Sequence, residues 1–101
     1  YVLAKENDTY EHIGKQFRLS ARNLRKFNDV KRGDQPMTGE VVYIGRKKRR
    51  WEGNAQMHIA REGETVYAVS QSYAIRMRSI EKLNRISADT PLEKGQQIRI
   101  R

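Results

Sequence analysis

The chain has 101 residues, of which 37% are hydrophobic and 33% charged, a composition typical of a globular domain on the polar side. It contains no cysteine, which excludes disulfide bonds and cysteine-ligated zinc. No apolar run approaches the roughly 20 residues that a membrane-spanning helix needs. The formal net charge of +9 makes polyanions candidate partners, including nucleic acid, anionic glycans and acidic membrane surfaces.

The chain begins with Tyr1 rather than methionine, and no basic-then-apolar leader follows. We therefore expect it to be a segment of a longer protein, with any leader or companion domain outside the segment.

The first element in chain order is an extended segment, Tyr1–Lys5, followed by a turn at residues 7–9. The hydroxyl of Thr9 can cap a helix N-terminus, and the pattern Asp8-x-x-Glu11 fits a capping box. In the helix that follows, residues recur at the i, i+3, i+4, i+7 spacing of a buried helical face: Tyr10, Ile13, Gly14 and Phe17.

A second short helix comes next, with Ser20 as its predicted N-cap and Leu24 and Phe27 on its apolar face. Asn28 is predicted to end this helix, because asparagine tolerates a left-handed C-cap. After a polar loop, the alternation of residues 41–44 predicts a strand. The element order is therefore βααβ, and the two strands are expected to pair antiparallel.

This pattern occurs twice in the chain. A shift of 56 residues aligns 1–44 with 57–100 without a gap. Identical residues occupy eight aligned positions: Ala4/Ala60, Glu6/Glu62, Thr9/Thr65, Arg22/Arg78, Lys26/Lys82, Asn28/Asn84, Gly39/Gly95 and Ile44/Ile100. The apolar face also repeats, as Val66, Val69, Ser70 and Tyr73 in one helix and Ile80 and Leu83 in the next. The sequence predicts an α+β protein of two tandem βααβ modules, 1–45 and 57–101, joined by a basic linker, 46–56.

The residues give no sign of catalytic chemistry. A module of about 45 residues uses most of its apolar residues for its core, which favours a shallow surface site over a buried active site. No Ser-His-Asp set, phosphate-binding loop or dinucleotide motif is present. His12 and His58 do not recur in the other copy, so neither a metal site nor a cofactor is predicted. A glycosidase pair of carboxylates, Glu6/Glu62 or Asp8/Glu64, is disfavoured because turn and helix-terminus roles explain these residues.

Both copies resemble the LysM domain. The motifs that carry the resemblance are Asn7-Asp8-Thr9, Asn28-Asp29-Val30 and Gly39…Val42…Ile44 in the first copy, and Gly63-Glu64-Thr65, Asn84-Arg85-Ile86 and Gly95…Ile98…Ile100 in the second. The resemblance implies βααβ modules that bind N-acetylglucosamine polymers, namely peptidoglycan and chitin. In bacteria such modules usually anchor cell-wall hydrolases.

The ligand groove of that family lies between the loop before the first helix and the loop after the second. Carried onto this sequence, the resemblance implies glycan-binding residues Asn7, Asp8, Thr9 and Tyr10 with Asp29, Val30, Lys31 and Arg32, and Gly63, Glu64, Thr65 and Val66 with Arg85, Ile86, Ser87 and Ala88. Backbone groups of such turns can hold an N-acetyl group. The first copy departs from the family in having Asn7 for glycine and Tyr10 for leucine, so its affinity is expected to be the weaker. Capping roles for Thr9, Thr65, Asn28 and Asn84 remain an alternative to glycan contact.

The basic run Arg46–Arg50, followed by Trp51, can be interpreted in several ways. We favour a solvated linker; attraction to an anionic wall and nucleic-acid binding are the alternatives. Trp51 packing against a module is a further option.

Taken with the resemblance, these features predict a non-catalytic glycan-binding region of a secreted, periplasmic or envelope protein, assumed to be monomeric. The parent is expected to be a peptidoglycan hydrolase, such as a glucosaminidase or amidase. The alternative function is a nucleic-acid-binding protein that uses the basic linker.

Overall fold

The computed structural model describes all residues from 1 to 101. The chain divides into two compact units, Tyr1–Lys47 and Lys48–Arg101, which we call the first and second modules. Each module contains two α-helices and one two-stranded antiparallel sheet in the order βααβ, so the predicted α+β class is confirmed. No helix is both long enough and apolar enough to cross a membrane.

The first module consists of β1 (Val2–Leu3), α1 (Tyr10–Phe17), α2 (Ala21–Phe27) and β2 (Val41–Val42). Its strands pair with Val2 opposite Val42 and Leu3 opposite Val41. The second module consists of β3 (Met57–Ile59), α3 (Val66–Tyr73), α4 (Met77–Asn84) and β4 (Gln97–Arg99). Its strands pair with His58 opposite Ile98, the register that the 56-residue repeat carries over from the first module.

The predicted helix N-caps are present. The Thr9 hydroxyl accepts a hydrogen bond from His12 N at 3.0 Å, and Thr65 repeats this contact with Ala68 N at 3.1 Å. Ser20 caps α2 in the same way. The predicted capping box at Asp8 is wrong: because Thr9 is the cap, the third helical residue is His12 rather than Glu11.

Asn28 ends α2 as its C-cap, as predicted, but the left-handed conformation predicted for the repeated asparagines is wrong. Asn28 has a φ of −101°, and Asn84 is the last helical residue of α4. The left-handed conformation belongs to the next residue in each module, Asp29 with a φ of 56° and Arg85 with a φ of 53°. The asparagine side chains instead donate to the carbonyls of Leu24 and Ile80, four residues earlier.

Each module has its own core. The residues that form the first core are Ala4, Tyr10, Ile13, Leu24 and Val42. The second core is larger and contains Ala60, Val66, Val69, Ile75, Ile80, Leu92, Ile98 and Ile100. The helical periodicity thus identified the buried faces of α1 and α3 up to their last turn. Phe17 is the exception, at 39% exposed, because α1 ends there and the chain reverses at Arg18, whose φ is 58°.

A close approach in each module fixes the turn between its helices. A Cβ atom at Gly14 would lie 2.4 Å from the carbonyl oxygen of Leu19, so this position in the first module excludes any side chain without a backbone shift. The second module has Ser70 there, and its hydroxyl donates a hydrogen bond to the Ile75 carbonyl. At this position the first module therefore has no side chain, and the second has one that hydrogen-bonds the facing carbonyl.

The predicted solvated linker holds for Arg46, Arg49 and Arg50, which are exposed, but Lys47, Lys48 and Trp51 contact the modules. Lys47 is buried and forms an ion pair with Asp29 at 2.8 Å; burial lowers the pKa of the Lys47 ammonium group, while the Asp29 contact opposes that shift. In the second module, Lys48 N donates to Ala74 O, and Lys48 O accepts from Arg76 N, both at 2.8 Å. The Trp51 ring lies edge-on to Tyr73 at 5.3 Å, so Trp51 packs against the second module.

Candidate functional site

The turn before the first helix of each module is held by a hydrogen bond between two of its own residues. In the first module Asn7 adopts a φ of 66°, and Asp8 Oδ2 accepts from Lys5 N at 2.7 Å. In the second module Gly63 has a φ of 75°, and Glu64 Oε1 accepts from Arg61 N at 3.1 Å. Asn7 therefore adopts the positive φ for which glycine is normally used, and the two turns have the same backbone conformation at this position.

The loop after the second helix also begins alike in both modules. Asp29 and Arg85 occupy the left-handed conformation, and the next residue, Val30 or Ile86, packs on the core of its module. The loops then diverge. Lys31 N donates to Asp34 Oδ2 at 3.2 Å in the first module. In the second module, Ala88 N donates to Glu81 Oε2 at 2.9 Å.

Hydrogen bonds join the two loops to each other in both modules. In the second module the link is direct, because Leu92 N donates to Glu64 O at 3.3 Å. In the first module it runs through a side chain: Gln35 Oε1 accepts from Tyr10 N at 2.9 Å and Gln35 Nε2 donates to Glu11 at 2.7 Å. These bonds are made by Gln35 and Leu92, which lie further along each loop than the predicted groove residues 29–32 and 85–88.

Within this pair of loops, the proposed residues differ in what they present. Tyr10 and Val66 are 1% and 0% exposed and belong to the cores, so their side chains do not face solvent. Burial raises the pKa of Tyr10 to about 12, and the nearby Glu40 carboxylate adds to this. The solvent-exposed residues of the two sets are Asn7, Asp29, Lys31, Arg32, Gly63, Thr65, Arg85 and Ser87. The other six residues of the two sets are half-buried: Asp8, Thr9, Val30, Glu64, Ile86 and Ala88.

A hydrogen-bonded chain that the sequence pattern did not predict lies at the edge of the second site. His58 Nε2 lies 2.7 Å from Glu64 Oε1, and His58 Nδ1 lies 2.8 Å from the Tyr73 hydroxyl. Desolvation raises the pKa of Glu64, but the hydrogen bonds from His58 and from Arg61 N outweigh it, so the pKa lies below its usual value. The first module has Val2 and Phe17 in place of His58 and Tyr73, so the chain is confined to the second module.

A second unanticipated feature is the cation network of the first module. Arg25 forms an ion pair with Glu11 at 2.8 Å, donates to Asp34 O at 3.0 Å and lies over the Tyr10 ring at 5.3 Å. Side-chain hydrogen bonds from Gln35 and Arg25 lower the pKa of Glu11. The sequence repeat contains one indication of this network, because Arg25 aligns with the oppositely charged Glu81 in the second module.

The site holds hydrogen-bonding groups in fixed turns but no arrangement suited to a metal ion. No group of three or more His, Asp or Glu side chains comes together anywhere in the chain. The turns present backbone amides and carbonyls beside short side chains, an arrangement that can recognise a neutral polar ligand at the surface.

Comparison with known proteins identifies the class of the second module. Residues 58–101 match the family model described as LysM domain. The match covers most of the second module, and LysM domains are binding modules rather than catalytic ones.

The chain is similar in sequence to an autolysin of Enterococcus faecalis. The two are 32% identical over 94 residues, which cover 85% of this chain and 12% of the autolysin. The chain thus spans about an eighth of the length of that relative.

Two solved structures also align with almost the whole chain. The spore cortex-lytic enzyme SleL of Bacillus cereus has a TM-score of 0.45 at 19% identity, covering 99% of this chain and 22% of SleL. SleL of Bacillus megaterium has a TM-score of 0.43 at 24% identity, covering 98% of this chain and 21% of SleL.

Proposed function

We propose that both modules bind glycans that contain N-acetylglucosamine, in particular peptidoglycan, and that chitin is bound through the same sugar. The observation that carries the proposal is the pair of hydrogen-bonded loops in each module. In the second module, both loops lie within the stretch that matches the LysM domain. Such preorganised turns lose little conformational freedom when a ligand binds, which favours binding at a shallow surface.

The chemistry of the second site suits an N-acetylated sugar. Ser87 and Ala88 are short side chains that leave space for a sugar ring, and Ala88 packs on the core where it offers an apolar surface to a methyl group. The Gly63 turn exposes backbone without a side chain. Backbone amides and carbonyls in these turns can hydrogen-bond an amide such as the N-acetyl group.

The first module is proposed to be a second LysM domain. It repeats the threonine cap, the positive-φ turn and the asparagine bridge of the second module at a spacing of 56 residues. The similarity to the autolysin covers 85% of the chain and therefore extends into both modules. Two weak sites on one chain would favour long glycans over short ones.

We further propose that the chain is the targeting segment of a cell-wall hydrolase and acts outside the cytoplasm, in the cell envelope. The similarity to an autolysin supports this assignment. A glucosaminidase or an amidase is the proposed activity of the parent, carried by a part of the protein other than this chain.

The test is a titration of the ¹⁵N-labelled chain with a chitooligosaccharide, followed by ¹H–¹⁵N spectra. We expect amide shifts in residues 62–66 and 85–88, with smaller changes in the first module. Ser87→Tyr places a bulky ring in the second site and should abolish these shifts. Glu93→Tyr is the matched control. Glu93 is exposed and lies in the same loop after α4 as Ser87, but it is outside the proposed set of glycan-binding residues. Saturable shifts confined to residues outside both loop pairs would overturn the site.

Binding to the natural polymer is tested by pull-down on insoluble peptidoglycan, with release of soluble sugar measured in parallel. We expect retention without new reducing ends. Reducing ends produced by the pure chain would contradict a non-catalytic role, and failure to be retained at low salt would contradict peptidoglycan as the ligand.

A further inference from the structure

A basic cleft lies on the first module, between α2 and the loop that follows it. It has a volume of about 790 Å³ and is lined by Arg22, Arg25, Lys26, Val30 and Arg32. Four of these five side chains are cationic, and Val30 is the one apolar contact. Arg22 and Lys26 lie four residues apart on α2, so that both project from the same helical face.

Only one of the four cations has a carboxylate partner. Arg25 is held by Glu11 and by the Asp34 carbonyl, which fixes it as a wall of the cleft. Arg22, Lys26 and Arg32 are exposed and form no ion pair. Like charges four residues apart destabilise a helix, and a third cation in the same cleft adds to the repulsion. An anion bound in the cleft would relieve it.

The second module does not repeat this charge arrangement. The residues aligned with Arg25 and Arg32 are Glu81 and Ala88, and the Glu81 carboxylate is bonded to Ala88 N. An acid and a neutral residue thus replace two of the four cations. The positive cleft is therefore specific to the first module and is not part of the design that the two modules share.

We propose that this cleft is a binding site for oxyanion groups, phosphate or carboxylate, carried along a polymer that lacks aromatic bases. Arginine matches such groups because its guanidinium donates two parallel hydrogen bonds to two oxygens of one anion. The cleft lining contains no aromatic side chain, whereas single-stranded nucleic acid is usually held by stacking of its bases on aromatic rings. A flexible anionic polymer, such as a polyol phosphate or a polycarboxylate, fits the lining better. The cleft shares Val30 and Arg32 with the proposed glycan site of the first module, but the charge of its four cations is recognised by anions and not by a neutral sugar.

The experiment is a titration of the full chain with poly(glycerol phosphate), poly-L-glutamate and oligothymidylate of matched charge, followed by ¹H–¹⁵N spectra at several salt concentrations. Saturable shifts should cluster in residues 22–32, and the double variant R22Q/R32Q should bind the preferred probe roughly tenfold more weakly, with a salt slope reduced by about 1 to 2. The tighter of the first two probes identifies the oxyanion, and both results support the site.

The matched control is R78Q/K94Q, which removes two exposed cations from the second module. It should bind the anionic probe within about twofold of the parent chain, apart from the general electrostatic effect of charge. An equal loss of affinity in both double variants would overturn the proposal, as would tighter binding of oligothymidylate. Chitooligosaccharide binding serves as the independent arm. If it is absent while the phosphate or glutamate probe still saturates residues 22–32, the glycan proposal fails and the cleft assignment stands.

Discussion

The side-chain amide of Asn28 pairs with the backbone of Tyr43 in the manner of a neighbouring strand. Asn28 Oδ1 accepts from Tyr43 N at 2.8 Å, and Asn28 Nδ2 donates to Tyr43 O at 2.9 Å. Asn84 makes the same pair of bonds to Arg99, at 2.6 and 2.9 Å. Each asparagine also donates to its own helix, so it ties the end of the second helix to the last residue of β4 in the second module and to the residue just after β2 in the first.

Loss of this bridge is expected to destabilise the affected module. Asn28→Ala leaves the Leu24 carbonyl and the backbone groups of Tyr43 without these partners, which should lower the free energy of unfolding by about 2 kcal/mol. Asn23→Ala, on the exposed face of α2, is the control and should change stability by less than about 0.5 kcal/mol. Hydrogen exchange of core amides in the first module measures both values. Equal protection in the two variants would contradict a structural role for Asn28.

The close approach at Gly14 predicts that a single methyl group is harmful there. Gly14→Ala brings a Cβ within 2.4 Å of a backbone oxygen, so a backbone shift is required, and overpacking of this kind costs about 2 kcal/mol. Alanine otherwise favours a helix over glycine by up to about 1 kcal/mol, which works in the opposite direction. Gly45→Ala is the control because nothing lies within 4 Å of the added Cβ. Urea denaturation of the three proteins decides; a stabilised Gly14→Ala variant would show that the turn relaxes freely.

The Glu64 contacts predict acid sensitivity of the second module. Because the pKa of Glu64 is lower in the folded state than its ordinary value of 4.5, its contribution is complete above pH 4.5 and is lost as pH falls through the folded pKa. Glu64→Gln should therefore show a shallower loss of stability between about pH 5 and pH 2. Glu62→Gln, an exposed neighbour, is the charge-matched control. The measurement is the thermal midpoint of each protein against pH, and parallel curves for Glu64→Gln and the parent would refute the prediction.

The two glycan sites are expected to act unequally and to gain from being on one chain. The second site should bind more tightly, because the first has charged Lys31 and Arg32 where the second has Ser87 and Ala88. Each site alone should bind in the micromolar-to-millimolar range, about −8 to −4 kcal/mol. On a long oligosaccharide the intact chain should gain about 100-fold over variants blocked at one site, Lys31→Tyr or Ser87→Tyr. Calorimetry with short and long ligands tests this; equal affinities on the long ligand would exclude cooperation between the modules.

How far the sequence predicted the fold is clearest from the repeat. Periodicity at Ile13 and Leu24, repeated 56 residues later at Val69 and Ile80, identified the helices and their buried faces, because burial of one helical face imposes that spacing. The same periodicity failed at Phe17, where the helix ends and the chain turns away. Local cap rules found Thr9 and the end of α2 at Asn28, but they did not predict the side-chain bonds of Asn28, because its partner, Tyr43, lies across the module and is not visible in a local pattern.

The candidate sites were less accessible from sequence. The positive φ at Asn7 agrees with its position where the LysM pattern has glycine. The bridge through Gln35 and the contact between His58 and Glu64 depend on side-chain directions that no spacing rule supplies. The sequence gives one indication of the basic cleft, because Arg25 in the first copy aligns with Glu81 in the second. The cleft itself could not be predicted, because it also requires Arg22 and Arg32 to lie around the same cavity.

The hydrogen bonds of Lys48 and Trp51 determine where the second module can be cut from the chain and grafted onto another protein. Lys48 pairs with Ala74 and Arg76, and Trp51 N donates to Ile100 O at 2.7 Å. A graft that begins at Met57, where the sequence repeat begins, discards these partners and uncovers Tyr73. A graft that begins at Lys48 keeps them, so the unit of exchange in protein engineering is longer at its amino end than the unit of sequence duplication.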